Sequence, residues 1–102
     1  MKFLAIMGHD EGRPKVRALF EKYQVYMFSN VAIKGCNCEK KRLQSAAWWP
    51  TDEMAATYSS LCFAILDDDK AEAIMLELEK NPIVIDQEFP AKAFLMNVEK
   101  MA

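Results

Sequence analysis

Hydrophobic side chains recur along the chain with two different spacings, and each spacing predicts a different element. Residues 2–7, KFLAIM, place apolar side chains on both sides of an extended chain, which predicts a strand with neither face in water. Pro14 suits the first turn of a helix, where its missing N–H is not needed. An i, i+3, i+4, i+7 stripe then predicts one amphipathic helix of about ten residues. The stripe consists of Val16, Leu19, Phe20 and Tyr23.

Four further stretches are typical of extended structure. Residues 25–34, VYMFSNVAIK, are rich in β-branched and aromatic types and predict a long second strand, which Gly35 ends. Residues 57–66 predict a third strand and residues 91–98 a final one. The short run IVID, 83–86, is compatible with an additional short strand.

A second helical stripe stands between the third and final strands. It consists of Ala71, Ile74, Met75 and Leu78. The acidic run 67–69 before it favours a helix start, since carboxylates are stabilised near the positive end of the helix dipole. Pro82 predicts that the helix ends near Asn81, because proline disfavours helical backbone in the residue before it.

The predicted order is β-α-β-β-α-β in one domain, residues 1–102, with a long loop at about 35–56. This order predicts an α+β fold, a ferredoxin-like sandwich with an antiparallel sheet and both helices on one face. The opposite face cannot be polar, because strands 1, 3 and 4 carry apolar residues on both sides. We therefore expect that face to pack against other subunits in a homo-oligomer.

Composition narrows the classes of function. The chain has 102 residues and a net charge of −2, with no broad basic field, which argues against nucleic acid as a partner. Three cysteines make a disulfide framework improbable, and the apolar run before Gly8 is too short for a signal peptide or a membrane span. We expect a cytoplasmic protein with reduced thiols.

The candidate chemistry is sparse. Cys36 and Cys38 could bind a soft or borderline metal ion, with His9 as a further ligand, could form a redox pair, or could be small loop residues. His9 could also act as a general base or be a turn residue. With three glycines there is no glycine-rich phosphate loop, and no Ser-His-Asp set can be assembled, so we predict that the chain is not an enzyme.

Two segments resemble the PII signalling proteins. The C-terminal AKAFLMNVEKM is similar to their last strand, G-K-I-F-V-x-P-V-E, and VAIKGCN is similar to the V-K-G-x-G that opens their long T-loop. The matching positions are Lys34, Gly35, Lys92, Phe94, Val98 and Glu99. Asn37 and Ala91 stand where the family pattern has glycine, so the chain resembles a divergent PII-like protein. The CutA-like trimers of divalent-metal tolerance share the architecture as a more distant resemblance.

The resemblance implies a function as well as a fold. It implies a homotrimer of ferredoxin-like subunits that binds a small ligand, an adenine nucleotide in that family, in the clefts between subunits. Lys34, Gly35 and Lys92 would hold this ligand. The loop 35–56 would contact a partner, a membrane transporter or a regulatory protein. The alternative function is a metal-binding protein of heavy-metal tolerance or efflux that uses Cys36 and Cys38.

Overall fold

The computed structural model describes residues 1–34, 60–85 and 90–102. Within these ranges the chain forms one four-stranded sheet and two α-helices. The elements in chain order are strand β1 (Lys2–Gly8), a 3-10 turn (Asp10–Gly12), helix α1 (Arg13–Lys22), strand β2 (Ser29–Ala32), strand β3 (Ser60–Leu66), helix α2 (Asp68–Lys80) and strand β4 (Lys92–Asn97). Among the described residues, no helix is both long and apolar enough to cross a membrane.

The sheet has the strand order β2-β3-β1-β4, and every neighbouring pair is antiparallel. The central strand β1 sets Ile6 opposite Cys62 on one side and opposite Ala93 on the other. The predicted class, a small α+β domain with an antiparallel sheet and two helices, is confirmed. The strand order is compatible with a ferredoxin-like fold.

The hydrophobic core fills the space between the sheet and the two helices. Alternate residues of each strand share one face, so every second side chain of β1 and β3 points to the helices. Both predicted helical stripes face the same space, with Tyr23, Met75 and Leu78 partly buried at its border. The buried residues of this core are Leu4, Ile6, Val16, Leu19, Phe20, Val25, Cys62, Ala64, Leu66, Ala71 and Ile74.

Helix α2 begins as the acidic run predicts, although not through a side-chain cap. Asp67 occupies the N-cap with an extended backbone, and its carbonyl accepts a hydrogen bond from the N–H of Ala71 at 3.0 Å. Its carboxylate makes no capping hydrogen bond. Asp68 instead pairs with the ammonium group of Met1 at 2.6 Å, and this hydrogen bond holds the pKa of the Asp68 carboxyl below its usual range.

The predicted second strand, 25–34, is much shorter in the structure and spans only Ser29–Ala32. The reason is the end of α1. Gln24 adopts a left-handed backbone (φ 59°), and its backbone N–H donates a hydrogen bond to the carbonyl of Glu21. The N–H of Val25 donates to the carbonyl of Phe20 at 2.8 Å. This pair of bonds is a Schellman motif with glutamine in the position usually held by glycine. Val25 is therefore buried at the helix end and is not part of the sheet.

The predicted short strand at 83–86 is also wrong for its described part, because residues 83–85 are not strand. The carbonyl of Ile83 accepts a hydrogen bond from the N–H of Ala91 at 2.9 Å. The side chains of Ile83 and Ile85 lie against Gly12, at the turn between β1 and α1. This segment thus covers the end of β1 from the helix side.

The C-terminal ends of the two helices are joined by one carboxylate. An Oε1 atom of Glu77 on α2 accepts hydrogen bonds from Lys22 Nζ and from the hydroxyl of Tyr23, both at 2.7 Å. Both bonds require a charged Glu77 carboxylate and a proton on the donor, Lys22 or Tyr23. They therefore lower the pKa of Glu77 and raise the pKa values of Lys22 and Tyr23. We call this three-residue contact the helix clasp.

The sheet face opposite the helices, here called the open face, is mostly apolar in the described residues. The aromatic rings of Phe3 and Phe63 lie on it with their centroids 5.6 Å apart. Ile65 and Met96 keep 45% and 51% of their surface exposed. By strand alternation the apolar members of the open face are Phe3, Ala5, Met7, Val31, Leu61, Phe63, Ile65, Phe94 and Met96, and the polar residues Ser29 and Lys92 share this face at its two edges. The prediction that the first, third and final strands carry apolar residues on this face is confirmed, whereas its packing against other subunits stays a prediction.

Candidate ligand site at one end of the sheet

The described members of the predicted site lie at the same end of the sheet. Register pairs Gly8 with Ser60 and Ser60 with Ala32, so β1 ends and β3 begins at the end where β2 finishes. His9 follows β1 directly, and Lys34 lies two residues beyond the end of β2. Lys92 opens β4 opposite Met7. The fold therefore gathers three distant parts of the sequence at one end.

The two predicted ligand-binding lysines nevertheless lie at opposite edges of this sheet end. Lys34 follows edge strand β2, and Lys92 belongs to edge strand β4, with β3 and β1 between them. Neighbouring strands are about 4.8 Å apart, so three spacings separate the two edges by roughly 14 Å. A ligand that contacts both lysines of a single subunit would have to span this distance, minus the length of the two side chains.

Lys92 stands where β4 comes close to the end of β1. A side chain added at Gly8 would place its Cβ 3.2 Å from Cβ of Ala91, which is tighter than ordinary van der Waals contact. Glycine at position 8 thus lets the residue before Lys92 approach the end of β1. Lys92 also borders a groove of about 170 Å³ under the C-terminal end of α2, together with Glu79 and Pro82.

His9 has a structural role in the turn after β1. It is the N-cap of the 3-10 turn, and its Nδ1 accepts a hydrogen bond from the N–H of Glu11 at 3.1 Å. Because Nδ1 is an acceptor here, the neutral ring carries its proton on Nε2. A metal ion at His9 would disrupt this contact by either route: at Nδ1 it displaces the Glu11 N–H, and at Nε2 it moves the ring proton to Nδ1, which can then no longer accept a hydrogen bond.

Next to His9, a cavity of about 10 Å³ has room for about one water molecule. Ser60 and Cys62 line it from β3. Cys62 is only 3% exposed, and burial raises the pKa of its thiol despite a hydrogen bond to Ser60. A buried thiol with a raised pKa is a poor nucleophile and metal ligand, so Cys62 is a core residue.

The metal hypothesis concerns residues that are only partly described. Gly35, Cys36 and Cys38 lie outside the described residues, as does the whole loop 35–56. Within the described ranges, no group of three or more His, Cys, Asp or Glu side chains could hold a metal ion. A metal site built from Cys36, Cys38 and His9 stays a prediction.

Sequence reasoning missed a second concave surface, on the helix side between α1 and β2. Arg13 and Arg17 line it from α1, and Phe28 and Asn30 line it from the opposite side. The only local signal is the i, i+4 spacing of the two arginines, which places them on one helix face. The strand that faces them could not be located, because the sequence pattern misplaced the start of β2.

Comparison with known proteins gives no match, either to a protein-family model or to a curated protein. Two features of the described structure bear on function. One is the placement of Lys34 and Lys92 at opposite edges of one sheet end. The other is the apolar open face.

Proposed function

We propose that the chain is a PII-like regulatory protein without enzymatic activity. In this proposal three copies associate as a homotrimer and bind a small ligand in the clefts between subunits through Lys34, Gly35 and Lys92. The loop 35–56 contacts a transporter or regulatory protein, and the ligand acts by having different affinities for two states of that loop. An adenine nucleotide is the first ligand to test.

The observation that carries the proposal is the position of the two lysines. Lys34 and Lys92 share one end of the sheet but belong to its opposite edges. A ring of identical subunits is built from head-to-tail contacts, in which one edge of a subunit meets the opposite edge of the next. Such a ring brings Lys34 of one copy near Lys92 of its neighbour, where both ammonium groups could contact one phosphate-bearing ligand.

The apolar area of the open face is a second support for the trimer. Its side chains belong to all four strands, and they include two phenylalanines in ring contact. Monomeric proteins rarely expose large contiguous apolar surfaces, because removing each square ångström from water contributes about 25 cal/mol. Burying the open face of each copy against the others would remove this surface from water.

Thermal unfolding with ATP, ADP and AMP tests the ligand site. A ligand that binds only the folded protein, present at a hundredfold its dissociation constant, adds about 2.7 kcal/mol, which raises the melting temperature of a small domain by on the order of 10 °C. We expect Lys34→Gln and Lys92→Gln each to remove most of this rise. Zn²⁺ and Cu⁺, tested in parallel, address the alternative function through a variant with Cys36→Ser and Cys38→Ser.

Lys70→Gln is the matched control, because it removes one lysine from the first turn of α2, which starts at the opposite end of the sheet from Lys34 and Lys92. It should leave the nucleotide-induced rise unchanged. The proposed nucleotide site is contradicted if no nucleotide raises the melting temperature, or if the three lysine variants lose the rise equally. Metal-induced stabilisation that vanishes in the double cysteine variant would establish the alternative instead.

A further inference from the structure

We propose that the groove between α1 and β2, here called the arginine groove, binds a small organic anion: a carboxylate or phosphate attached to a flat apolar body. The groove lies on the helix side of a single subunit, whereas the proposed nucleotide cleft lies between subunits. Its volume is about 550 Å³, within the range that small-molecule sites in proteins occupy. This inference is independent of the oligomeric state.

The walls of the groove offer hydrogen-bond donors from two elements. Arg13 and Arg17 are one helical turn apart on α1 and line the same wall. Asn30 lines the groove from β2. Its Oδ1 accepts a hydrogen bond from the hydroxyl of Ser60 at 3.0 Å, and this contact leaves the NH₂ group of the amide as the end that can donate into the groove. Donors from the helix and from the strand therefore line the same groove.

Arg13 is held in place by the turn that precedes α1. Its Nε lies 3.0 Å from Oδ1 of Asp10, three residues earlier. A guanidinium carries four further N–H donors on its two terminal nitrogens, and these form the planar fork that matches a carboxylate or phosphate. Arg17 is less constrained, because its Nε lies 3.4 Å from Oε1 of Glu21 and its side chain is largely exposed. Arg13 is thus the anchor, and Arg17 can move to a ligand.

The inner part of the groove is apolar and firmly supported. The Phe28 ring is partly exposed, and it packs on the core residue Phe20 with ring centroids 4.9 Å apart at an angle of 57°. Pro14 and the buried Cys62 complete this inner surface. An aromatic side chain fixed by the core offers a face on which a flat ligand can stack without further ordering.

The charges around the groove decide which kind of anion fits. Asp10 and Glu11 line one end of the groove and balance the two arginines. A bare inorganic anion would gain little in this balanced field, since the carboxylates repel it while the guanidiniums attract it. An anion with an apolar body can place its oxygens at the arginines and its body on Phe28, and so uses both parts of the groove.

Four probes separate these contributions: phenyl phosphate, benzoate, phenol and inorganic phosphate. Titrations followed by amide chemical shifts in NMR report both the affinity and the place of binding. We expect phenyl phosphate or benzoate to bind with a dissociation constant of about 1 mM or lower, with the largest shifts at Arg13, Arg17, Phe28 and Asn30. The better of the two identifies the preferred anion. Phenol and inorganic phosphate should each bind at least tenfold more weakly.

Arg13→Gln and Arg17→Gln should each raise the dissociation constant of the better probe at least fivefold. Lys15→Gln is the matched control. The substitution also removes one positive charge from α1, but Lys15 lines a different groove, on the side of α1 that faces α2. Arg13→Lys keeps the charge without the planar fork, and is expected to weaken binding less than Arg13→Gln does. Three outcomes would each overturn the proposal. The first is that neither aromatic anion binds at 10 mM, a concentration about tenfold above the expected dissociation constant. The others are chemical-shift changes that cluster outside the groove, and a loss of binding in Lys15→Gln as large as in the arginine variants.

Discussion

The two faces of the sheet carry side chains of the same apolar kind, but they differ in what lies against them. On one face, α1 and α2 bury Leu4 and Ile6 of the central strand completely. On the open face, Phe3 and Phe63 touch each other, and neighbouring side chains such as Ile65 stay half exposed. A strand that is apolar on both sides needs two apolar neighbours, and the described part of the chain supplies only one. In the proposed trimer, the other subunits supply the second.

The largest effect is expected on the helix face. Phe20→Ala removes a ring that is fully buried between α1 and the sheet, and should lower the free energy of unfolding by about 3–5 kcal/mol. Urea unfolding followed by circular dichroism measures the change. Since such a loss could prevent folding, Phe20→Leu provides a milder variant with an expected loss of about 1–2 kcal/mol.

Tyr26→Ala is the matched control for this aromatic truncation. Tyr26 lies just beyond the end of α1 and is 75% exposed, so its removal should change the free energy of unfolding by no more than about 0.5 kcal/mol. Equal losses for Phe20→Leu and Tyr26→Ala would contradict the described position of the core.

On the open face, the expected effect is on association more than on the fold of each subunit. A double variant, Ile65→Lys and Met96→Lys, places two charges on the exposed centre and edge of this face. In the native protein the melting temperature should rise with protein concentration, because association stabilises the folded state by mass action. In the variant this dependence should vanish while the circular dichroism spectrum stays native.

Leu76→Lys is the control for that experiment. Leu76 lies on α2 and is 52% exposed, similar to Met96, but faces away from the sheet. It should preserve the concentration dependence. A double variant that still melts at a concentration-dependent temperature would show that the open face is not the surface that associates.

The helix clasp should produce a smaller effect, confined to acid. The pKa of Glu77 is lower in the folded protein than its ordinary value of 4.5, so the unfolded state binds more protons as the pH falls. The stabilisation by Glu77 is therefore complete above about pH 5 and is lost as the pH falls through the lowered folded-state pKa. Glu77→Gln should make the urea midpoint less dependent on pH between 5 and 3.

Two comparisons sharpen this acid experiment. Glu72→Gln changes a glutamate on the same helix that takes no part in the clasp, and should leave the pH dependence close to that of the native protein. Asp68 also has a lowered pKa, through its contact with the Met1 ammonium group, so some pH dependence remains in Glu77→Gln. Identical profiles for Glu77→Gln and the native protein would refute the clasp.

The smallest expected effect concerns the end of α1. Gln24→Gly should relieve a left-handed backbone that costs a non-glycine residue about 1–2 kcal/mol, but glycine also loses more chain entropy on folding, by about 0.4–1 kcal/mol. The net result is a stabilisation of about 0.5 kcal/mol. Glu21→Gly, inside the same helix, should destabilise by about 1 kcal/mol. Destabilisation by Gln24→Gly would contradict the Schellman motif.

The helices and the central strands could be predicted because their signals are local. Pro14 and Pro82 mark where α1 begins and where α2 has ended, and the apolar stripes between them match the buried faces. The start of β2 could not be predicted, because the helix-ending signal usually comes from glycine and here comes from Gln24. The pattern of residues 25–28 is typical of a strand, yet the N–H of Val25 bonds to the carbonyl of Phe20 and closes the end of the helix.

The candidate sites show the same limit. The resemblance to PII proteins selected Lys34 and Lys92, but their positions at opposite edges depend on which strands pair, and pairing is not visible in local spacing. The arginine groove depends on β2 pairing with β3 across a long stretch of sequence. Such surfaces depend on contacts between residues that are far apart in the sequence. A periodic pattern describes only residues that are close together in the sequence.

The mass of the native protein in solution, measured by sedimentation equilibrium at micromolar concentration, tests the central claim most directly. One chain has a mass of 11.7 kDa, so the proposed trimer has a mass of about 35 kDa. We predict that larger mass for the native protein and the single-chain mass for the variant with Ile65→Lys and Met96→Lys. A native protein that sediments as a single chain across the accessible concentrations would contradict the assignment of the open face as a subunit interface.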